Sequence, residues 1–431
     1  MSDQLEMKAV LDRAKIPTAN VETELKCLVK IWPSLELRKL EVKPLRTSIC
    51  LVFDCSASML QDNKLNTAIE SAKLIVDTIS VNQRVSLVAF QSRVRVLISD
   101  AEANEAGKER IKQQIDEIRG MAGGSTNMTD GIKEGVSTLG RSKADAKVMI
   151  LLSDGAADFP ESAERAALEA TAANIQIFAV GIGAQYMADQ LLKLVIPSNG
   201  ALFGSAELEK IKHTFEQLIG RIENFVATNA ALEITFHEDV NAGLTYKASP
   251  EQAFIGNMQP DENRTVHLNV GNIERDKAYS FLFLATVPQG SSGDLEVCQV
   301  RLRYDVPSAG VVGAILEEIL LVSYTNDRRA AEELNGEVME VFRRVSITQL
   351  AERFVEASKA CDAEQTAKYL KILIRRYDEI GDSMMKNHYE GLLQDLKDKG
   401  TITNDMLNAS VVASTVVAGG GELPQVVDDE F

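Results

Sequence analysis

Residues 48–53, 84–90, 148–153 and 175–181 are short runs that are apolar at almost every position. Between them the apolar residues recur at helical spacing, over 65–80, 108–119, 130–139 and 161–173, and a further helical stretch covers 208–225. A strand that is apolar on both sides of its pleat has both faces covered. Strand–helix alternation of this kind therefore predicts a mostly parallel, doubly wound α/β sheet with helices on both faces. Residues 94–98, close behind Phe90, fit a short antiparallel edge strand.

The texture differs on either side of that unit. Leu25, Cys27, Val29 and Ile31 alternate with Lys26, Leu28, Lys30 and Trp32, the signature of a half-buried strand. Similar short strands return at 231–236, 265–270, 279–287 and 297–304, separated by Gly, Pro, Asn and Asp turns, and predict a β-sandwich. Apolar spacing of three and four over 329–341, 347–361, 363–377 and 383–397 predicts a small helical bundle. The expected organisation is a helix and strand in residues 1–45 that join the sandwich, an α/β domain over 46–226, the sandwich over 227–326, the bundle over 327–399, and an acidic tail over 400–431. The tail carries Asp405, Glu422, Asp428, Asp429 and Glu430 with no base, and a Gly419–Gly421 run. It reads first as a flexible terminus. A second reading makes it a peptide that offers a carboxylate to a neighbour's metal site.

Length and charge narrow the field. A chain of 431 residues exceeds what one core fills, so two or three domains are expected. The net charge of −17 disfavours nucleic acid and anionic membrane as partners, since both would be repelled. Cys27, Cys50, Cys55, Cys298 and Cys361 are odd in number and scattered, and read as free thiols of a reducing compartment rather than a disulfide framework. With no secretory pattern at the start and no long apolar stretch, the expected location is cytoplasmic and away from the membrane.

The candidate chemistry lies where the apolar runs stop. The first ends in Asp54-Cys55-Ser56-Ala57-Ser58, a carboxylate and two hydroxyls at alternate positions. Thr126 follows in Gly123-Gly124-Ser125-Thr126, and Asp154 ends the run that begins at Val148. Together these are hard oxygen ligands without a histidine or thiolate, which suits Mg²⁺, with Mn²⁺ or Ca²⁺ as alternatives. In an α/β sheet the ligand crevice lies outside the carboxyl ends of the strands, at the topological switch point, which is where Asp54 and Asp154 fall.

Asp54, Ser56, Ser58, Thr126 and Asp154, in that order and spacing, resemble the metal-ion-dependent adhesion site of von Willebrand factor type A domains. Lys64-Leu65 at the opening of the first helix and the strand 84–90 resemble the prokaryotic, intracellular branch, and the likeness covers roughly 46–225. Cys55 and Ala57 depart from the family's wording without removing an oxygen. The resemblance implies that Ser56 and Ser58 bind the metal directly, that Asp54 orients them and binds through water, and that Thr126 and Asp154 share the rest of the protein's side. One position is then left for an Asp or Glu of a protein partner. It also implies an adaptor in a multi-protein system, with an AAA+ ATPase or another operon-encoded protein as partner.

Enzymatic readings lack their parts. A phosphoaspartate mechanism built on Asp54 needs an acid two residues on, where Ser56 stands. The loop at Gly123 has neither the Lys nor the spacing of a phosphate-binding Walker loop. His213, His237, His267 and His388 lie near no Gly-x-Ser-x-Gly turn and form no zinc pattern. The chain is therefore expected to bind rather than catalyse. The other non-enzymatic class is a structural subunit with a purely stabilising metal, and chelator-sensitive association separates the two. With one Trp, eight Tyr and 14 Phe, no aromatic cluster marks a partner surface.

Overall fold

The computed structural model describes residues 4–18, 21–39, 45–183, 186–205, 208–257, 259–290 and 293–415. The chain opens with strands β1 (Leu5–Leu11), β2 (Lys15–Pro17) and β3 (Thr23–Pro33) and a short helix α1 (Leu35–Lys39). The α/β domain then runs β4 (Thr47–Asp54), α2 (Lys64–Thr78), β5 (Arg84–Phe90), β6 (Val94–Glu102), α3 (Glu105–Glu117), α4 (Met128–Gly140), β7 (Ala146–Ser153), α5 (Pro160–Ala172), β8 (Ile175–Ile182), α6 (Ala188–Val195), β9 (Leu202–Ser205) and α7 (Leu208–Glu223). Seven further strands follow: β10 (Phe225–Phe236), β11 (Asn241–Ser249), β12 (Ala253–Asn257), β13 (Thr265–Glu274), β14 (Tyr279–Val287), β15 (Gly293–Val306) and β16 (Val311–Thr325). The described chain ends in helices α8 (Arg328–Glu332), α9 (Gly336–Lys359), α10 (Ala363–Glu379), α11 (Ser383–Lys399) and α12 (Asn404–Thr415).

The α/β sheet has the order β6-β5-β4-β7-β8-β9, parallel except for the β5–β6 pair. Alternation across β4 sends Ile49, Leu51 and Phe53 into the core under α2, α3 and α7. Cys50 and Val52 point to the opposite core, under α4, α5 and α6. Both faces are covered, which is why these strands read as continuous apolar runs. The chain leaves β4 towards β5 on one side and returns in β7 on the other, so the switch point lies between β4 and β7.

Two antiparallel-rich sheets, β1-β3-β14-β11-β12 and β13-β10-β15-β16-β2, enclose a second core that includes Val29, Ile31, Leu232, Phe281, Phe283 and Leu302. Helix α9 lies on the outer face of the first of these sheets, where Val338 and Val345 meet Leu28, Tyr246 and Leu282. Further along, Ile347, Ala351 and Phe354 join the α4–α6 side of the α/β domain, so this helix braces two units at once. A buried charge network joins α7 to the sandwich: Arg221 donates to Glu274 at 2.9 Å and also pairs with Glu251, while Lys247 donates to Glu251 at 2.9 Å. No helix among the described residues is long and apolar enough to cross a membrane.

The helix expected in residues 1–45 is α1, which follows β3, while Leu5–Leu11 forms a further strand paired with β3 from Leu5 opposite Pro33 to Leu11 opposite Cys27. Two expectations need correction. The break expected within the bundle near residues 341–347 does not exist. It lies earlier, where the Asn335 side chain caps α9 through the Glu337 and Val338 amides. The tail is not flexible throughout: Asn404–Thr415 is α12, with Leu407, Ser410 and Val411 buried against its neighbours. Glu422, Asp428, Asp429 and Glu430 lie outside the described residues.

Candidate metal centre

Strand β4 delivers Asp54 to the bottom of the crevice, fully buried. Its Oδ1 accepts from the Ser56 amide at 2.9 Å and its Oδ2 accepts from the Ser153 hydroxyl at 2.6 Å. With both oxygens held, the carboxylate cannot swing, and it fixes the turn that carries the two serines. Burial pushes the Asp54 carboxyl up to about 6, against the pull of the Ser153 and Ser56 hydrogen bonds.

Ser56 is buried and Ser58 half-buried, and their Oγ atoms stand 3.1 Å apart. That spacing tests the fit to a small divalent ion. Neighbouring ligands of an octahedral Mg²⁺ with bonds of ~2.1 Å are about 3.0 Å apart. The two hydroxyls therefore already span one edge of such a shell, and the donor set fits the ion.

Thr126 comes from the Gly123–Thr126 turn, which two backbone bonds tie to the first loop: Gly123 N to Cys55 O at 2.8 Å and Ala57 N to Gly124 O at 3.1 Å. The turn needs its glycines. Gly124 has φ +81, and a Cβ there would fall 2.5 Å from the Gln91 and Ser92 side chains. Thr126 is 7% exposed, and its amide donates to both carboxylate oxygens of Asp158 at 3.0 Å. Asp154, just past β7, accepts from the Ala156 amide through Oδ1 at 3.3 Å and from the Lys64 ammonium through Oδ2 at 3.0 Å.

The structure thus brings the two Asp–Ser segments together at one strand end, through Ser153 on Asp54, and docks the Thr126 turn beside them. Three participants were not singled out in the sequence as parts of the site: Ser153, Asp158 and Lys64. Only Lys64 left a signal there. A lysine at the first residue of a helix opposes the positive end of the helix dipole, and such a charge calls for a partner. Among the histidines whose side chains are described, His237 and His267 sit on the sandwich, each near an aspartate, and His388 pairs with Ser410 at 2.9 Å.

Comparison with known proteins bears on the domain and the fold. The family model for the von Willebrand factor type A domain matches residues 48–217. An uncharacterized protein of Synechocystis sp. is 24% identical over 280 residues, 64% of this chain; the match spans 65% of that relative's own length. The solved von Willebrand factor type A protein from Catenulispora acidiphila superposes with a TM-score of 0.79 at 17% identity, covering 96% of this chain and 97% of that one. The ArnB paralog VWA2 from Sulfolobus acidocaldarius gives 0.62 at 15% identity, covering 96% and 98%. The human COPII-coat protein Sec24c gives 0.51 at 12% identity, covering 90% of this chain and 60% of that one. At these identities the solved structures speak for the fold alone, and the first two share it over nearly the whole chain.

Proposed function

Taking residues 48–217 as a von Willebrand factor type A domain, a family known for protein–protein interaction, we propose that this chain is a metal-dependent interaction module rather than an enzyme. Ser56 and Ser58 hold a divalent cation, Mg²⁺ first, with Asp54, Thr126 and Asp154 completing the protein's side. The observation that carries the reading is the 3.1 Å Ser56–Ser58 edge standing on a carboxylate whose two oxygens are both held.

A bound divalent cation supplies an electrophilic point to which an outside Asp or Glu can bind. The chain's own residues prepare that point. Asp54 orients the serine turn, and the neutral hydroxyls leave more of the ion's charge for the partner than a shell of carboxylates would. The same loops offer contact area: Leu60 follows Ser58 and is 56% exposed, and Phe159 follows Asp158 and is 71% exposed. An exposed aromatic beside a charged anchor is a common hot-spot arrangement. The partner is a cytoplasmic protein with an acidic residue, and an AAA+ ATPase is the class the family resemblance names.

The test is capture of partners from cell extract by wild-type protein, Thr126→Ala and Ser58→Ala, each in magnesium and in chelator. The expected result is a partner retained only by wild type and only with metal, with circular dichroism unchanged in the variants. Equal capture by Thr126→Ala, or capture insensitive to chelator, contradicts the proposal.

A further inference from the structure

Lys64 is buried at a place where a lysine is doubly unfavourable. It is the first residue of α2, at the positive end of the helix dipole, and its side chain is only 10% exposed. Taking an ammonium out of water costs several kcal/mol unless a partner repays it. The partner is Asp154, at 3.0 Å. The backbone is shaped for this side chain. Gly183, at φ +87, leaves the slot in which the stem lies, and a Cβ there would sit 3.0 Å from both Cγ and Cε of Lys64.

Such a pair contributes little to stability compared with an apolar contact of the same size. Its position gives it another use. Asp54, Asp154 and Asp158 are the carboxylates around the site, and Lys64 neutralises one of them. We infer that Lys64 is a built-in counter-charge to the metal centre, weakening the protein's own hold on a dication so that tight binding requires a carboxylate from the partner. This inference rests on the metal-site reading above and adds the group that sets the metal's affinity before the partner arrives. A site with an uncompensated second aspartate would fill with Mg²⁺ at all times. Metal and acidic partner raise each other's affinity by the same factor, as reciprocal linkage requires, and Lys64 keeps the metal's share low until the partner arrives.

The experiment is calorimetric titration of the full chain with MgCl₂ alone, for wild type, Lys64→Gln, Lys64→Met and Lys64→Arg. Removing a unit charge several ångströms from a dication changes affinity by about tenfold even with nearly water-like screening. The Gln and Met variants are expected to bind Mg²⁺ about tenfold more tightly than wild type, and the Arg variant, which keeps the charge, to stay close to wild type. A merely structural lysine predicts the opposite, since loosening Asp154 weakens the site. Gln and Met variants that are folded by circular dichroism and bind Mg²⁺ no more tightly than wild type overturn the inference while leaving the proposed function intact. A wild type that binds no Mg²⁺ at millimolar concentration overturns both.

Discussion

Replacing Glu251 by Gln tests how the α/β domain is fastened to the sandwich. Glu251 lies between two cations, Lys247 of β11 and Arg221 of α7, and Arg221 is shared with Glu274 of β13. Lys247 and Glu274 have side chains only 4% and 3% exposed, while Glu251 itself is 25% exposed, so water screens this network in part. Burial by itself pushes the Glu251 carboxyl up, but the Lys247 and Arg221 charges overcome it and hold the group at about 2. From an ordinary 4.5 that is about 3 kcal/mol at ~1.4 kcal/mol per pH unit. Glu251 is itself partly exposed and burial pulls the Lys247 ammonium down, so the net contribution is smaller, on the order of 2 kcal/mol.

The sign follows from the depressed value. The contribution is fully present above about pH 4.5 and is lost as pH falls through about 2. Glu251→Gln removes it, so urea denaturation should place the variant about 2 kcal/mol below wild type at neutral pH. The gap should narrow as pH falls below about 4.5, because the unfolded wild-type chain then takes up a proton that the folded carboxylate, held at about 2, does not bind. A variant as stable as wild type at neutral pH would show that the charge network does not fasten the two units. So would a deficit that stays constant down to about pH 3, since that points to lost packing rather than lost charge.

Two further outcomes follow from packing. A Cβ added at Gly135, on the face of α4 that meets the sheet, would fall 2.7 Å from Met149 Cε and 2.9 Å from Val52 Cγ2. Gly135→Ala should therefore lower stability by about 1 kcal/mol despite the better helix propensity of alanine, and a raised melting temperature would contradict that contact. Leu407→Asp, on the buried face of α12, should release this helix and make 404–415 sensitive to limited proteolysis while the α/β domain keeps its melting transition; unchanged proteolysis would show that α12 is not held by that face.

Much of the α/β fold was legible because its signals are local. Runs such as Val148–Ser153 are apolar at almost every position only when both faces of a strand are covered, and the helical spacing between them is unambiguous. The alternation Leu25/Cys27/Val29/Ile31 was equally clear for β3. What escaped notice had weak local signals. Helix α6 has eight residues, too few for a period to stand out, and β9 has four. Strand β16 mixes Glu317 and Glu318 with Ile315, Leu316 and Ile319, so its alternation is blurred. Helix α12 was read as part of the flexible tail because its buried face depends on α6 and α9, elements far away in sequence.

The site divides the same way. Asp54, Ser56 and Ser58 are neighbours in sequence, so their shared geometry follows from one turn. Ser153 on Asp54 and Lys64 on Asp154 span 99 and 90 residues, and only the switch point of the sheet brings them together. Phe159 shows a further limit: composition gave no hint of an aromatic contact at the site, because a single phenylalanine is 71% exposed beside it.

The most direct measurement is anomalous diffraction from crystals of the full chain grown with Mn²⁺, collected where manganese scatters. One strong peak is expected about 2.2 Å from both Ser56 Oγ and Ser58 Oγ, with the remaining open position facing solvent or holding a carboxylate from outside the chain. The same peak should be absent in Ser58→Ala. Ordered water alone between the serines at saturating Mn²⁺, or a peak elsewhere that survives Ser58→Ala, would contradict the proposed metal centre.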